Sequence, residues 1–184
     1  MAVKTFTNEQ LTASDTNTYL ANSGLVYVTS TTVGSAVSSV TVSNCFSSTY
    51  DNYKIIISGG TSSAGGDLKL TLGSTATGYY YALIYNTYNT PANVIGIGAQ
   101  NATSIPLAGV ATTNSLTMDC DVYMPYATTR SHFRNPYMST NVAGASGNLT
   151  GFLDNATSYT AFTVTITGGT MTGGTITVYG YRKA

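Results

Sequence analysis

The feature that most limits the fold of this chain is a period-two alternation of apolar and hydroxyl-rich residues. Between residues 116 and 124, Leu, Met, Cys, Val and Met alternate with Thr, Asp, Asp and Tyr. The same period recurs in residues 67–72, 162–167 and 175–179. Successive side chains of a strand point to opposite faces, so each segment is typical of a half-buried antiparallel strand. The pattern predicts an all-β protein.

Five further segments have weaker strand signals, in residues 25–30, 37–43, 53–58, 78–85 and 130–137. Glycine-rich stretches at 59–66 and 168–174 separate neighbouring strand patterns and predict turns. About nine strands of this kind predict an antiparallel two-sheet β-sandwich of jelly-roll type over residues 25–184. Residues 87–110 contain Pro91 and Pro106 and little alternation, so we expect a long exposed loop and a candidate contact surface there.

Residues 1–24 differ from the remainder and predict an N-terminal arm with a short helix. Thr12, followed three residues later by Asp15, resembles a capping box, and Gly24 is suited to close the helix. A helix of about ten residues is marginally stable alone. We therefore expect its apolar side chains to dock on the domain or on a partner; they are Leu11, Tyr19 and Leu20.

Charged residues form only 8% of the 184 residues, and seven basic and seven acidic side chains cancel. A typical soluble domain has about 25%. Neutral surfaces tend to associate, which favours a protein that functions within an assembly. No segment of the sequence is basic enough to predict a nucleic-acid partner. The N-terminal residues lack a secretory signal and no apolar run approaches membrane-helix length, so we expect cytoplasmic synthesis without membrane insertion. Cys45 and Cys120 are then expected to be reduced and buried.

The few charges of the second half are concentrated in two neighbouring strand patterns. A four-residue loop at 125–128 would place Asp119 opposite Arg134 and Asp121 opposite His132. Such cross-strand pairs contribute roughly 0.2–1 kcal/mol each. We expect a structural ladder of opposite charges here.

Catalytic and metal-binding motifs are missing from the sequence. His132 is the one histidine, and no nucleophile elbow or metal-ligand spacing is present. We therefore expect no enzyme activity, no cofactor and no metal. Asp119 and Asp121 share one strand face, which leaves calcium binding and glycoside hydrolysis open behind the ion-pair interpretation.

Tyrosine is unusually frequent, with fifteen residues. Tyrosine buries apolar area and keeps a hydroxyl for hydrogen bonding, so it suits both subunit interfaces and glycan-binding surfaces. We favour subunit packing over glycan contact. A third possibility, ice binding by the Thr array at 163–167, lacks a fixed-period repeat. Alternation places Tyr79, Tyr81 and Tyr85 on one face of their strand and Tyr80 on the other. The candidate contact surface consists of Tyr79, Tyr81, Tyr85, Tyr88 and Asn93.

Several segments resemble virion proteins of tailed phages of aquatic bacteria. The residues at 4–7, 11–20 and 24–28 resemble the start of small virion proteins of this kind, and residues 173–182 resemble the closing strand of fibre-type and capsid-appendage β-domains. Those domains also have an aromatic run like Phe46, Tyr50 and Tyr53 before an early strand. The resemblance covers about a third of the chain and excludes residues 67–155.

The resemblance implies a phage virion structural protein, commonly a homotrimer, of tail-fibre or receptor-binding type. It implies that the arm attaches to other virion proteins and that the sandwich contacts neighbouring subunits or a host-surface glycan or protein. Capsid decoration is the alternative function, and polysaccharide degradation a remote one. We expect synthesis in the bacterial host cytoplasm and a final location in the virion. The expected attachment residues are Phe6, Leu11, Tyr19 and Leu20.

Overall fold

The computed structural model describes residues 24–139 and 144–183, and within them the protein is all-β, with antiparallel strands and no helix. The predicted arm at 1–24, including its helix, lies outside the described residues except for Gly24. The strands are β1 (Leu25–Thr32), β2 (Ser39–Val42), β3 (Asn52–Ser58), β4 (Thr61–Ser62), β5 (Gly66–Leu72), β6 (Tyr79–Thr87), β7 (Thr90–Ala102), β8 (Ile105–Ala111), β9 (Leu116–Tyr123), β10 (Ser131–Ser139), β11 (Ala145–Leu153), β12 (Phe162–Ile166), β13 (Met171–Thr172) and β14 (Thr175–Tyr181).

Strand β9 is the branching point of the fold. Hydrogen bonds link β2, β12, β5, β8, β9, β10, β11, β6 and β7 in that order, and the other edge of β9 continues to β3, β14 and β1. Strand β8 pairs with residues 116–118 of β9, whereas β10 pairs with residues 121–123. Strands β8 and β10 therefore occupy different ends of the same edge of β9, an arrangement that is consistent with a β-sandwich.

The core is formed by the inward residues of the alternating strands. In β9 the residues at 116, 118, 120 and 122 are all buried. Phe46 connects two branches of the sheet, because its ring lies 4.7 Å from that of Tyr53 in β3 and 5.7 Å from that of Phe162 in β12. Cys45 and Cys120 are both free and buried, as expected, and burial raises the pKa of Cys45 to about 12.

The prediction of a long loop at 87–110 is wrong, since β7 and β8 occupy most of it. Among the described strands, β7 is an exposed edge strand with β6 as its single neighbour, so it has no buried face to produce alternation. Pro91 lies at its start, where an edge strand tolerates a missing N–H. Strand β8 is mostly buried on both sides, which also removes the period of two.

The predicted neighbours β9 and β10 are paired, but the predicted register is wrong by two residues. Asp121, not Asp119, lies opposite Arg134, and Tyr123 lies opposite His132. The connection runs from residue 124 to 130 and is longer than the expected four residues. Met124 leaves the strand with a left-handed φ of 55° and donates its N–H to Asp51 O. A shift of two keeps each side chain on its predicted face.

Candidate functional site

The sheet presents a continuous outer face, defined as the side of β7, β6, β11, β10, β9, β3, β14 and β1 that points away from the core. The registers align outward side chains in rows across these strands. One row consists of Tyr80, Phe152, His132, Tyr123 and Asn52. A second row consists of Ala82, Thr150, Arg134, Asp121, Lys54, Tyr179 and Tyr27.

The first row contains an aromatic groove, formed by Tyr80, Phe152 and His132 with Gln100 and Thr150 at its edges. The rings of Tyr80 and Phe152 are stacked, with centroids 4.9 Å apart and planes 3° from parallel. The ring of His132 lies 6.2 Å from Phe152. The groove has a volume of about 440 Å³, within the roughly 300–1,000 Å³ of small-molecule sites.

A salt bridge holds the Phe152 end of the groove. The guanidinium of Arg130 lies 5.6 Å from the centroid of the Phe152 ring, within cation–π range. Arg130 Nε donates a hydrogen bond of 2.7 Å to Asp154 Oδ1, which fixes the position of the guanidinium. The Phe152 ring thus contacts both the Tyr80 ring and the Arg130 guanidinium.

A β-bulge shapes the opposite end of the groove. Tyr79 pairs with Ala102 and Tyr81 with Ala99, so two residues of β7, Gln100 and Asn101, lie opposite the single residue Tyr80. Asn101 has a left-handed φ of 54°, and its Oδ1 accepts a hydrogen bond of 2.9 Å from Gly78 N. Bulges commonly redirect a side chain next to a binding site, and this one brings Gln100 to the groove.

Gly151 allows β6 and β11 to approach closely beneath the groove. A Cβ at this position would lie 2.5 Å from Tyr80 O and 3.0 Å from the Ile105 side chain. Contacts that short force a shift of backbone. The stack of Tyr80 on Phe152 therefore depends on a glycine in β11.

The carboxylates of Asp119 and Asp121 bind Lys54, a partner that was not predicted from the sequence. Lys54 Nζ donates a hydrogen bond to Asp119 and lies 3.5 Å from Asp121 Oδ1, while Tyr181 donates its hydroxyl to Asp121 Oδ1 at 2.6 Å. Desolvation lowers the pKa of Lys54, but the hydrogen bond to Asp119 and the two negative charges outweigh it and raise the pKa overall. Among the described residues, Arg134 has no ion-pair partner.

The predicted tyrosine surface is divided between core and solvent. Tyr79 is 0% exposed and cannot contact a partner, because its hydroxyl accepts from Leu72 N and donates to Thr75 O inside the protein. Tyr81 and Tyr85 are half-buried on the same face, whereas Tyr88 and Asn93 are exposed near the β6–β7 turn. Alternation correctly put 79, 81 and 85 together, but that face points to the core.

Sequence reasoning missed the groove residues Tyr80, Gln100 and Phe152. The signal for Tyr80 was present, since alternation placed it alone on the opposite face from its neighbours. Phe152 belongs to β11, a strand whose glycines at 147 and 151 interrupt the apolar pattern, and Gln100 belongs to the expected loop.

A second exposed feature, the apolar end, is formed by side chains of β6, the β6–β7 turn, β7 and β10. Its four members are between 58% and 71% exposed, which is unusual for large apolar side chains. They are Ile84, Tyr88, Val94 and Met138.

In residues 24–139 and 144–183, no group of three or more His, Cys, Asp or Glu side chains is placed to hold a metal ion. The same part of the chain has no helix of the length and apolarity that crossing a membrane would require. The expected attachment residues Phe6, Leu11, Tyr19 and Leu20 lie outside the described residues. No protein-family model matches this chain, and no curated protein matches it.

Proposed function

We propose that this protein is a structural component of a tailed-phage particle, a fibre-type or receptor-binding appendage that acts by surface contact and not by catalysis. The observation that carries the proposal is the outer face. Eight strands present one surface on which aromatic, amide and hydroxyl groups are exposed and most charges are paired with one another.

The ion pairs support contact through uncharged groups. Asp119 and Asp121 share Lys54, Arg130 binds Asp154, and Lys183 Nζ lies 2.6 Å from Asp51 Oδ1. The exposed pairs among these, Arg130–Asp154 and Lys183–Asp51, add little stability, typically about 0–1 kcal/mol. The ion pairs matter more for binding than for stability, because they leave few unpaired charges that could attract a partner over a long range.

The same pairing supports a non-enzymatic role. A general acid and a nucleophile in glycoside hydrolysis must be free to exchange protons or attack a sugar. Asp119 and Asp121 instead bind the same ammonium group, and Asp121 also accepts the Tyr181 hydroxyl. We propose that both are structural, and expect no reducing-sugar release from polysaccharides by the protein.

The proposal includes a finer architecture. Residues 25–184 form a two-sheet sandwich of jelly-roll type, and residues 1–24 form a helical arm that attaches to other virion proteins through Phe6, Leu11, Tyr19 and Leu20. The separation of β8 and β10 along β9 supports the two-sheet arrangement. The apolar end supports a subunit interface, and we propose that it joins the chains of a homotrimer. The protein is made in the host cytoplasm and ends in the virion.

Antibodies against the purified protein test its place in the particle. Applied to purified phage particles in the electron microscope, they should label discrete appendages of the tail. Even labelling over the capsid shell would support the decoration alternative instead. Absence of the protein from particles, checked by mass spectrometry of the same preparation, would contradict a virion role.

A further inference from the structure

We infer that the aromatic groove is a binding site for an uncharged, pyranose-based polysaccharide. This inference rests on the proposed function, since it assigns the ligand class of an appendage that contacts a host surface. It concerns Tyr80, Phe152, Gln100 and Thr150, of which only Gln100 lies within the segment 87–110 that was predicted as a contact surface.

The chemistry of the groove matches a sugar ring. A pyranose has one or two faces of C–H groups and a rim of hydroxyls, and it therefore packs a C–H face on an aromatic ring while hydrogen bonding at its edge. The Tyr80 and Phe152 rings stack on each other, and both side chains border the groove, where they provide the aromatic surface for such a C–H face. Gln100 and Thr150 supply an amide and a hydroxyl at the edges.

The groove is formed before any ligand arrives. The bulge at Gln100 and Asn101 is held by the hydrogen bond to Gly78 N, the two strands below are kept close by Gly151, and Phe152 is held by Tyr80 and Arg130. A preformed site loses less conformational entropy on binding, which raises affinity for a weakly interacting ligand.

The charges around the groove favour an uncharged ligand. Arg130 is neutralised by Asp154, and Arg134, next along the same face, lies opposite Asp121. Their formal charges are +1, −1, +1 and −1, which sum to zero. The surroundings therefore provide no net field to concentrate an acidic polysaccharide.

Saturation-transfer NMR on the purified full-length protein tests the inference. The probes are three uncharged polysaccharides, dextran, mannan and galactan, and two acidic ones, alginate and polygalacturonate. We expect at least one uncharged probe to bind, and Tyr80→Ala and Phe152→Ala each to weaken that binding roughly tenfold or more, a change of about 1.4 kcal/mol. Tyr80→Phe should bind like the wild type because it keeps the ring.

Tyr27→Ala is the matched control. Tyr27 is an exposed tyrosine of the same outer face, 59% exposed on β1, six strands away from Tyr80. Its loss should leave binding unchanged, and circular dichroism should show that all variants are folded.

Any of three binding results would overturn the inference: no binding of any uncharged probe, tighter binding of the acidic probes, or equal binding by Tyr80→Ala and the wild type. Dissociation of an oligomer by Tyr80→Ala in sedimentation would also overturn it, since the groove would then be a subunit interface. Antibody labelling of the particles is independent of all these results. If the groove does not bind a polysaccharide, the virion role is therefore still tested by the labelling.

Discussion

At the residue scale, the ammonium group of Lys54 in β3 binds two carboxylates of β9, those of Asp119 and Asp121. The alternation in β9 correctly placed Asp119 and Asp121 on one face, and their strand was correctly paired with β10. Their cation nevertheless comes from β3, 65 positions before Asp119 in the chain. Two strands with clear alternation can each be recognised from the sequence. Nothing in the local sequence of either strand, however, indicates which strand will pair with it in the sheet.

Lys54→Met tests the importance of this cation. The change leaves two carboxylates side by side without a positive partner, and we expect the free energy of unfolding in urea to fall by about 1–2 kcal/mol, between the values for exposed and buried pairs. Arg134→Met removes an exposed, unpaired cation of the same face and should change stability by less than about 0.5 kcal/mol.

The pH dependence of the Lys54 effect follows from its raised pKa. A lysine with a pKa raised by folding stabilises the protein fully below its unfolded value, about 10.4, and loses that contribution as pH rises through the folded value. The difference between wild type and Lys54→Met should therefore be constant at neutral pH and shrink above about pH 10.4. Equal stability of Lys54→Met and Arg134→Met at pH 7 would contradict the role of Lys54.

Asp67 provides a second prediction at the residue scale, in which removal of the charged group stabilises the protein. Partial burial raises its pKa, while Lys69 acts in the other direction. Folding therefore disfavours the ionised form, and stability decreases as pH rises from the unfolded value of about 3.9 through the folded one. Asp67→Asn should stabilise the protein by about 0.5 kcal/mol or less at pH 7, because solvent screens a partly exposed carboxylate, and it should have little effect below about pH 3.9. Denaturation at both pH values checks this, and a loss of stability at pH 7 would refute it.

At the scale of elements, burial on one face decided what could be predicted. Strands β5, β9, β12 and β14 have one buried and one open face, and their period of two was readable. Strand β7 is open on both faces, β8 is buried on most of its length, and β11 is interrupted by glycines. The groove lies on β6, β7, β10 and β11, so it could not be assembled from a sequence in which two of its four strands, β7 and β11, show no readable period.

Gly151→Ala tests the close approach of β6 and β11. The added methyl would meet Tyr80 O at 2.5 Å, and we expect a loss of about 1–3 kcal/mol of unfolding free energy together with a weaker Tyr80–Phe152 stack. Gly96→Ala in β7 is the matched control, because its Cβ would meet nothing within 4 Å. Thermal denaturation of both variants checks the prediction, and equal melting temperatures would show that the approach is not tight.

At the scale of the whole molecule, low charge and the apolar end predict association. A neutral surface with four large exposed apolar side chains favours contact with further copies. We expect sedimentation equilibrium to show a trimer, and Ile84→Lys to dissociate it without unfolding the chain, since Ile84 is 62% exposed. Tyr27→Lys, at a similar exposure elsewhere on the face, should leave it intact. A wild-type monomer at high concentration would contradict this proposal.

The central claim is that the molecule acts by contact with a host surface, and an adsorption assay tests it most directly. Host cells are incubated with the purified protein before the phage that carries it is added, and free phage is counted over time. We predict that the protein slows adsorption in a dose-dependent way while releasing no reducing sugar from the cell surface. Adsorption at the same rate with and without a saturating amount of protein would contradict the claim.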